Sequence, residues 1–163
     1  MAEGKFYQPL LDIENVVAIL NKISIFAGLS EKQLYSLFKM LEVVSYRAGE
    51  IIFEQGEPPS HIYIVRSGRV KLVGYEEGTA FELMVFDEGH CFGEASVIGI
   101  QPHEAAAIAM ENTELIVLSS KTLLSLYKSD LELFSILILN IAREVCRRLY
   151  ETDEILLHYF SKK

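Results

Sequence analysis

The sequence predicts a mainly β domain with flanking helices: an antiparallel β-roll of the jelly-roll type. Three observations carry this. Between Glu42 and Leu118 the apolar residues fall in short runs of period two, separated by turns that carry Gly49, Gly56, Gly68 and Gly89. On either side of that block the period becomes helical. The 163 residues are half hydrophobic, enough for one well-buried core and too few for several. The chain is therefore read as one domain, 1–163, with N-terminal helices in 1–41, the roll in 42–118 and C-terminal helices in 119–163.

Taken in order, Ile13, Val16, Val17 and Leu20 have helical spacing across 12–22, and Phe26 is buried in the connector that follows. Ser30 caps a second helix with Gln33 three residues on, and Leu34, Leu37, Phe38 and Leu41 form its apolar stripe. Strands follow at 43–46, 51–53, 61–65, 69–74, 81–86, 105–110 and 114–118. Ser119-Ser120 caps a helix through Leu126, and Asp130 begins a long one running to about Phe160. Along it Ala142, Val145, Leu149, Thr152, Leu156 and Tyr159 alternate steps of three and four, as in a coiled-coil seam. A helix that long overruns a small roll, which predicts a parallel homodimer.

Composition excludes several classes. A net charge of −8 argues against direct nucleic-acid binding, which needs clustered Lys and Arg. Arg143, Arg147 and Arg148 are interleaved with Glu144 and Glu151, as on a salt-bridged helix face. Cys91 and Cys146 form no disulfide framework or metal spacing, and read as buried free thiols in a reducing compartment. The first eleven residues hold no signal peptide, and no run has the apolar length of a membrane span. A cytoplasmic protein is expected. His61, His90, His103 and His158 are scattered without ligand spacing, so no metal site is expected. His90 beside Cys91 is no nucleophile pair, because adjacent strand residues face opposite ways. Neither a cofactor nor enzymatic activity is expected.

One stretch carries chemistry: Cys91-Phe92-Gly93-Glu94-Ala95-Ser96, continuing through Gln101-Pro102-His103-Glu104-Ala105-Ala106. A glycine before a short helical turn from Glu94 to Ile98 leaves backbone N–H groups facing an anion. Glu94 can cap those amides or accept hydrogen bonds from a ligand's hydroxyls. Ala105-Ala106-Ala107 lets a second backbone segment come close.

Phe92-Gly93-Glu94, a short helix, Pro102 and the Ala105-Ala106 pair resemble the phosphate-binding cassette of the cyclic nucleotide-binding domain family. That family includes bacterial catabolite activator-type regulators and the regulatory subunits of cyclic AMP-dependent kinases. Ile25-Phe26-Ala27-Gly28-Leu29-Ser30-Glu31 resembles its helical lead-in, and the four turn glycines stand where its roll places them. The resemblance implies cyclic AMP or cyclic GMP as ligand, with Glu94 on the ribose and the cassette residues Phe92, Gly93, Ala95, Ser96, Ala105 and Ala106 around the phosphate. Leu72 and Leu83 are implied as wall residues. Arg147-Arg148-Leu149-Tyr150-Glu151-Thr152 resembles the part of activator dimer helices where a threonine meets the base. This implies a base contact for Thr152 and a pocket position for Arg148, while the seam alone explains Thr152 as a register-setting polar residue. Where the family sets an arginine after the proline, this chain has His103, then Glu104. Histidine offers one or two donors and a conditional charge in place of a permanent two-pronged cation, and Glu104 adds negative charge.

Three readings follow. The first is a regulatory sensor of a cyclic nucleotide with altered phosphate recognition, signalling through its C-terminal helix. The second is a domain that no longer binds nucleotide and serves as an interaction or dimerisation module. The third is a sensor of a different small ligand, chosen by His103 and Glu104 together. No recognition helix follows the long helix as far as Lys163, so a stand-alone module and a piece of a longer chain both fit.

Overall fold

Two strands in this sequence are apolar without interruption, Ile62-Tyr63-Ile64-Val65 and Leu115-Ile116-Val117-Leu118, and all eight residues are buried. A strand that is apolar on both faces must be covered on both faces. In the computed structural model, which describes residues 4–162, these strands form the middle of a five-stranded sheet packed between a second sheet and the helices. Residues 1–3 and 163, included in the single-domain reading, lie outside the described residues.

The first sheet has the order β1 (Gln8–Pro9), β2 (Glu42–Tyr46), β9 (Thr113–Ser119), β4 (His61–Ser67), β7 (Cys91–Phe92). The second has the order β3 (Ile51–Phe53), β8 (Ala106–Ala109), β5 (Val70–Glu76), β6 (Thr79–Phe86). Every pairing is antiparallel, and the expected β-roll with flanking helices is the architecture observed. Tyr63, Val65, Leu115 and Val117 face Phe53, Val70, Phe86 and Ala107 across the roll. On the opposite face, Ile62, Ile64, Ile116 and Leu118 meet the helices.

The predicted first helix is broken. It runs as α1 (Ile13–Val17) and continues as two 3₁₀ turns, Leu20–Lys22 and Ser24–Phe26. The β-branched residues Val16, Val17 and Ile19, with Asn21, have modest helix propensity, and burying Ile19, Ile23, Ile25 and Phe26 together overrides a regular helix. α2 (Glu31–Phe38) starts with the predicted capping box, Ser30 and Gln33 each bonding the other's backbone N–H; Leu41 is buried beyond its end. The two-residue strand β1 is absent from the sequence prediction, and β7 is the strand end expected around His90 and Cys91, observed at Cys91–Phe92. α3 (Glu94–Gly99) follows β7, and α4 (Ser120–Ser129) is capped by Ser119, whose hydroxyl accepts from the Thr122 N–H.

α5 (Leu131–Ser161) begins where the Asp130 side chain accepts from the Leu133 N–H. Its first half lies on the helical side of the core, with Leu133, Leu137 and Ile141 fully buried. Polar contacts fix its azimuth. The Asn140 amide donates to the carbonyls of Ile25 and Ala27 at 3.0 and 2.8 Å, and Ser24 donates to Glu144 at 2.7 Å. From Leu149 to the end of α5 at Ser161 every residue is exposed.

Asn140 is 5% exposed and Ile25 fully buried, so the Ile25 carbonyl and the Asn140 amide have no ready access to water. Asn140→Ala is expected to cost about 1–3 kcal/mol, the usual penalty for stranding buried polar groups. Urea unfolding followed by circular dichroism measures it; a change below about 0.5 kcal/mol, the scale of an ordinary surface substitution, would show that these bonds do not anchor α5.

Candidate ligand-binding site

Gly93 turns the chain from β7 into α3 with φ of 79°. A Cβ there would stand 3.1 Å from the His61 carbonyl oxygen and 3.1 Å from the Tyr63 ring, so glycine meets both the conformational and the steric demand. Phe92 just before it is fully buried, stacked on Tyr63 and Phe86 at centroid distances of 5.1 and 5.4 Å. After α3 the loop returns through Pro102 and is tied to the β3–β4 connection. The His103 N–H donates to the Glu57 carbonyl at 2.9 Å, and the Gly56 N–H donates to the His103 carbonyl at 2.8 Å.

These segments and α5 enclose a cavity of about 320 Å³ lined by Phe53, Leu72, Leu83, Gly93, Ala95, Ser96, residues 101–105 and Arg148. Leu83 reaches it through an irregularity. The β5–β6 register passes from Leu72↔Met84 to Val73↔Glu82, leaving Leu83 without a partner opposite, and its side chain covers Gly74.

The charges are arranged unevenly. Glu94 is fully buried and forms an ion pair with Arg148 of α5; neither of its oxygens has a well-formed hydrogen bond. The start of α3 has no side-chain cap, so Glu94 does not serve there as the capping group its position allowed. Arg148 also donates to the Cys91 carbonyl at 3.4 Å, and its guanidinium lies 5.4 Å from the centroid of the Phe86 ring, a cation–π contact. Burial lowers the Arg148 pKa, an effect opposed by Cys91 and Glu151. Burial likewise raises the Cys91 thiol to about 11, which makes it an inert core group.

His103 is 4% exposed and stacked on Phe53, with ring centroids 3.6 Å apart and planes 11° from parallel. Burial holds its pKa below the usual imidazole value, opposed by the Glu57 carboxylate. The charge acting on His103 is thus that of Glu57, where the sequence suggested its neighbour Glu104. Glu104 is exposed at the cavity wall.

Leu72, Leu83, Gly93, Ala95, Ser96, His103, Glu104, Ala105 and Arg148 come together around the cavity. Phe92, Glu94 and Ala106 lie buried behind its wall. Thr152 stands apart on the exposed part of α5, its hydroxyl donating to the Arg148 carbonyl at 2.9 Å. Phe53, Gln101 and Pro102 also line the cavity; the position of the last two inside the cassette was the available signal. Only one of the two cysteines is buried, since Cys146 sits on the outer face of α5. His90 points outward to Asp87 at 2.5 Å while Cys91 is buried, so they form no reactive pair. Arg147 pairs with Glu144, as expected of a bridged face, while Arg143 donates to the Asn140 amide oxygen and Arg148 pairs with Glu94 instead. Among the described residues no group of His, Cys, Asp and Glu could hold a metal ion, and no helix is long and apolar enough to cross a membrane.

Similarity to known proteins agrees with this geometry. The sequence profile of the cyclic nucleotide-binding domain matches residues 43–130. The cyclic AMP receptor protein of Thermus thermophilus is 31% identical over 133 residues, covering 79% of this chain and 58% of that protein. A cGMP-dependent protein kinase of Caenorhabditis briggsae is 31% identical over 96 residues, covering 58% of this chain and 13% of the kinase. The crystal structure of a cyclic nucleotide-binding domain from Methylobacillus flagellatus superposes with a TM-score of 0.83 at 19% identity, covering 95% of this chain and 88% of that one. This chain thus spans less than two thirds of the length of the two full proteins. With the profile matching more than half its length, the chain belongs to the cyclic nucleotide-binding domain family.

Proposed function

We propose that this domain is a regulatory sensor that binds cyclic AMP or a related cyclic nucleotide with altered phosphate recognition, and reports occupancy through α5. The observation that carries the reading is Arg148: one side chain lines the cavity, pairs with the buried Glu94 of the cassette and belongs to the long helix. A ligand hydroxyl meeting Glu94 competes with the guanidinium for the same carboxylate, so binding and helix position are linked. In this reading a parallel homodimer along Val145, Leu149, Thr152 and Leu156 receives the signal. The protein acts as a receptor, without catalysis, membrane insertion or direct nucleic-acid binding, and its setting is the cytoplasm.

Titration calorimetry with cyclic AMP and cyclic GMP tests the site. Weak binding is expected for the natural chain, because a missing charge-assisted phosphate pair typically costs about 2–5 kcal/mol. His103→Arg with Glu104→Ala supplies the permanent cation and removes the opposing charge. Cyclic AMP affinity should then rise at least about tenfold, equivalent to about 1.4 kcal/mol. Glu94→Ala in that background should abolish binding.

The buried stack of His103 on Phe53 favours a second reading, in which the site has closed to nucleotides and the domain works as an interaction module or senses another small ligand. If the double variant takes up no cyclic nucleotide, this second reading stands and the sensor reading falls.

The pH dependence separates them further. With its pKa lowered by burial, His103 is neutral at pH 7 and can face a phosphate as a cation only after taking up a proton. Binding to the natural chain should therefore strengthen as pH falls from 7 through the ordinary histidine range toward 5, and the His103→Arg form should lose that dependence. Without ligand the sign reverses. The unfolded state takes up the proton first, so this histidine's contribution to stability is lost as pH falls through the same window. Thermal unfolding at pH 5 and 7 for the natural and His103→Phe forms checks it. Equal shifts in the two would mean that His103 contributes none of the pH effect.

A further inference from the structure

We propose that the cavity prefers an uncharged ribonucleoside to the corresponding cyclic nucleotide. This rests on the sensor reading above, in which Glu94 meets a ligand hydroxyl, and it names the ligand class of that same site.

Two side chains at the cavity could bring positive charge to a phosphate, and neither is placed to do so. Among the described residues lining it, Arg148 is the only permanent cation, and it is paired with Glu94. Glu94 has no exposed surface, so turning the guanidinium toward a phosphate would strand a buried carboxylate. His103 is 4% exposed, its ring laid against Phe53 at a centroid distance of 3.6 Å. Charging that ring would create a cation where burial disfavours one. The helix start offers little in exchange, because α3 spans six residues, under two turns.

Negative charge, by contrast, is left uncompensated. Glu104 stands exposed at the wall beside His103, with no cation at ion-pair distance among the described residues. From the β3–β4 connection the Glu57 carboxylate also acts on His103. An anion beside His103 would meet the field of both carboxylates.

Hydrogen bonding points the same way. At its phosphate end a cyclic nucleotide presents negative charge and oxygens that only accept. The parent nucleoside has two free hydroxyls in that place, each a donor as well as an acceptor. The Glu104 carboxylate only accepts, a neutral His103 adds one more acceptor nitrogen, and Ser96 and Gln101 can both give and accept. Acceptors on the wall thus meet donors on the nucleoside, and meet further acceptors on the cyclic nucleotide. At the remaining ribose hydroxyl the two ligands are alike: Glu94, neither of whose oxygens has a hydrogen bond, can accept from either. The cavity volume of about 320 Å³ lies at the lower end of the range of about 300–1,000 Å³ usual for small-molecule sites, which suits the smaller of the two.

Calorimetric titration of the full chain at pH 7 with two matched pairs, adenosine with cyclic AMP and guanosine with cyclic GMP, isolates the phosphate, since base and Glu94 contact are shared within each pair. In at least one pair the nucleoside is expected to bind about tenfold tighter. Glu104→Ala should weaken nucleoside binding and strengthen cyclic nucleotide binding. A merely structural role for Glu104 would move both in the same direction. Glu104 is exposed, and unchanged circular dichroism shows that the variant remains folded. Cyclic nucleotides that bind as tightly as their nucleosides, or tighter, overturn the preference and leave the sensor reading standing. No binding by any of the four overturns the preference, and the chain with His103→Arg and Glu104→Ala then decides the sensor reading separately. A ratio unmoved by Glu104→Ala, or nucleoside binding that survives Glu94→Ala, overturns the assignment of the preference to this cavity.

Discussion

A carboxylate with no exposed surface needs a compensating charge, and Glu94 has one only because α5 brings Arg148 to it. Isolated burial of such an ion costs several kcal/mol even after relaxation, and removing one partner of a buried pair is typically worse than never having built it. Cassette and helix are therefore tied by a constraint that neither satisfies alone. Gly93 sets the direction in which Glu94 leaves β7, and Phe92 locks that turn into the core between Tyr63 and Phe86. The same Phe86 ring also lies beneath the guanidinium. Packing, turn geometry and electrostatics thus converge on one ion pair at the edge of the cavity.

That pair also sets the character of the cavity. With Glu94 compensated by Arg148, the remaining charge on the wall is Glu104, and His103 stays neutral at pH 7 because burial disfavours its cation. A wall formed by Phe53, Leu72, Leu83, Ala95, Pro102 and Ala105 is apolar, while Ser96 and Gln101 offer uncharged hydrogen bonds. The roll and cassette are those of the family; the electrostatics of this cavity belong to this chain.

The parts legible in the sequence were those with short-range causes. Ser30 and Gln33 announce a capping box because its partners are three residues apart, and α5 announces itself through a period sustained over many turns. Gly49, Gly56, Gly68 and Gly89 all adopt positive φ at turns, as the strand spacing implied. β1 is not legible because two residues cannot show a period. Helix 12–22 was overextended because its apolar spacing is real, while the break after Val17 comes from packing against distant strands. In the site, the cassette was legible, but the Glu94–Arg148 pair joins residues more than fifty positions apart, and charge alone says nothing of such a partner. Phe53 stands in an ordinary strand run, and nothing in that run shows that His103 stacks on it. The exposure of Cys146 depends on where the roll ends along α5, which sequence period does not reveal.

The position of Arg148 along α5 explains how one ion pair can matter beyond the cavity. Toward the N-terminus, Asn140 and Glu144 hold the helix to the turn at 24–27. One residue past Arg148 the helix leaves the roll and its exposed arc begins. The ion pair therefore sits at the boundary between the docked and free halves. In a continuous helix a rotation at that boundary turns the whole exposed arc beyond it by the same angle. A loop at this position would absorb such a change; a continuous helix carries it outward. The stiffness that lets α5 extend past the roll also makes the orientation of its exposed arm depend on how Arg148 is held at Glu94.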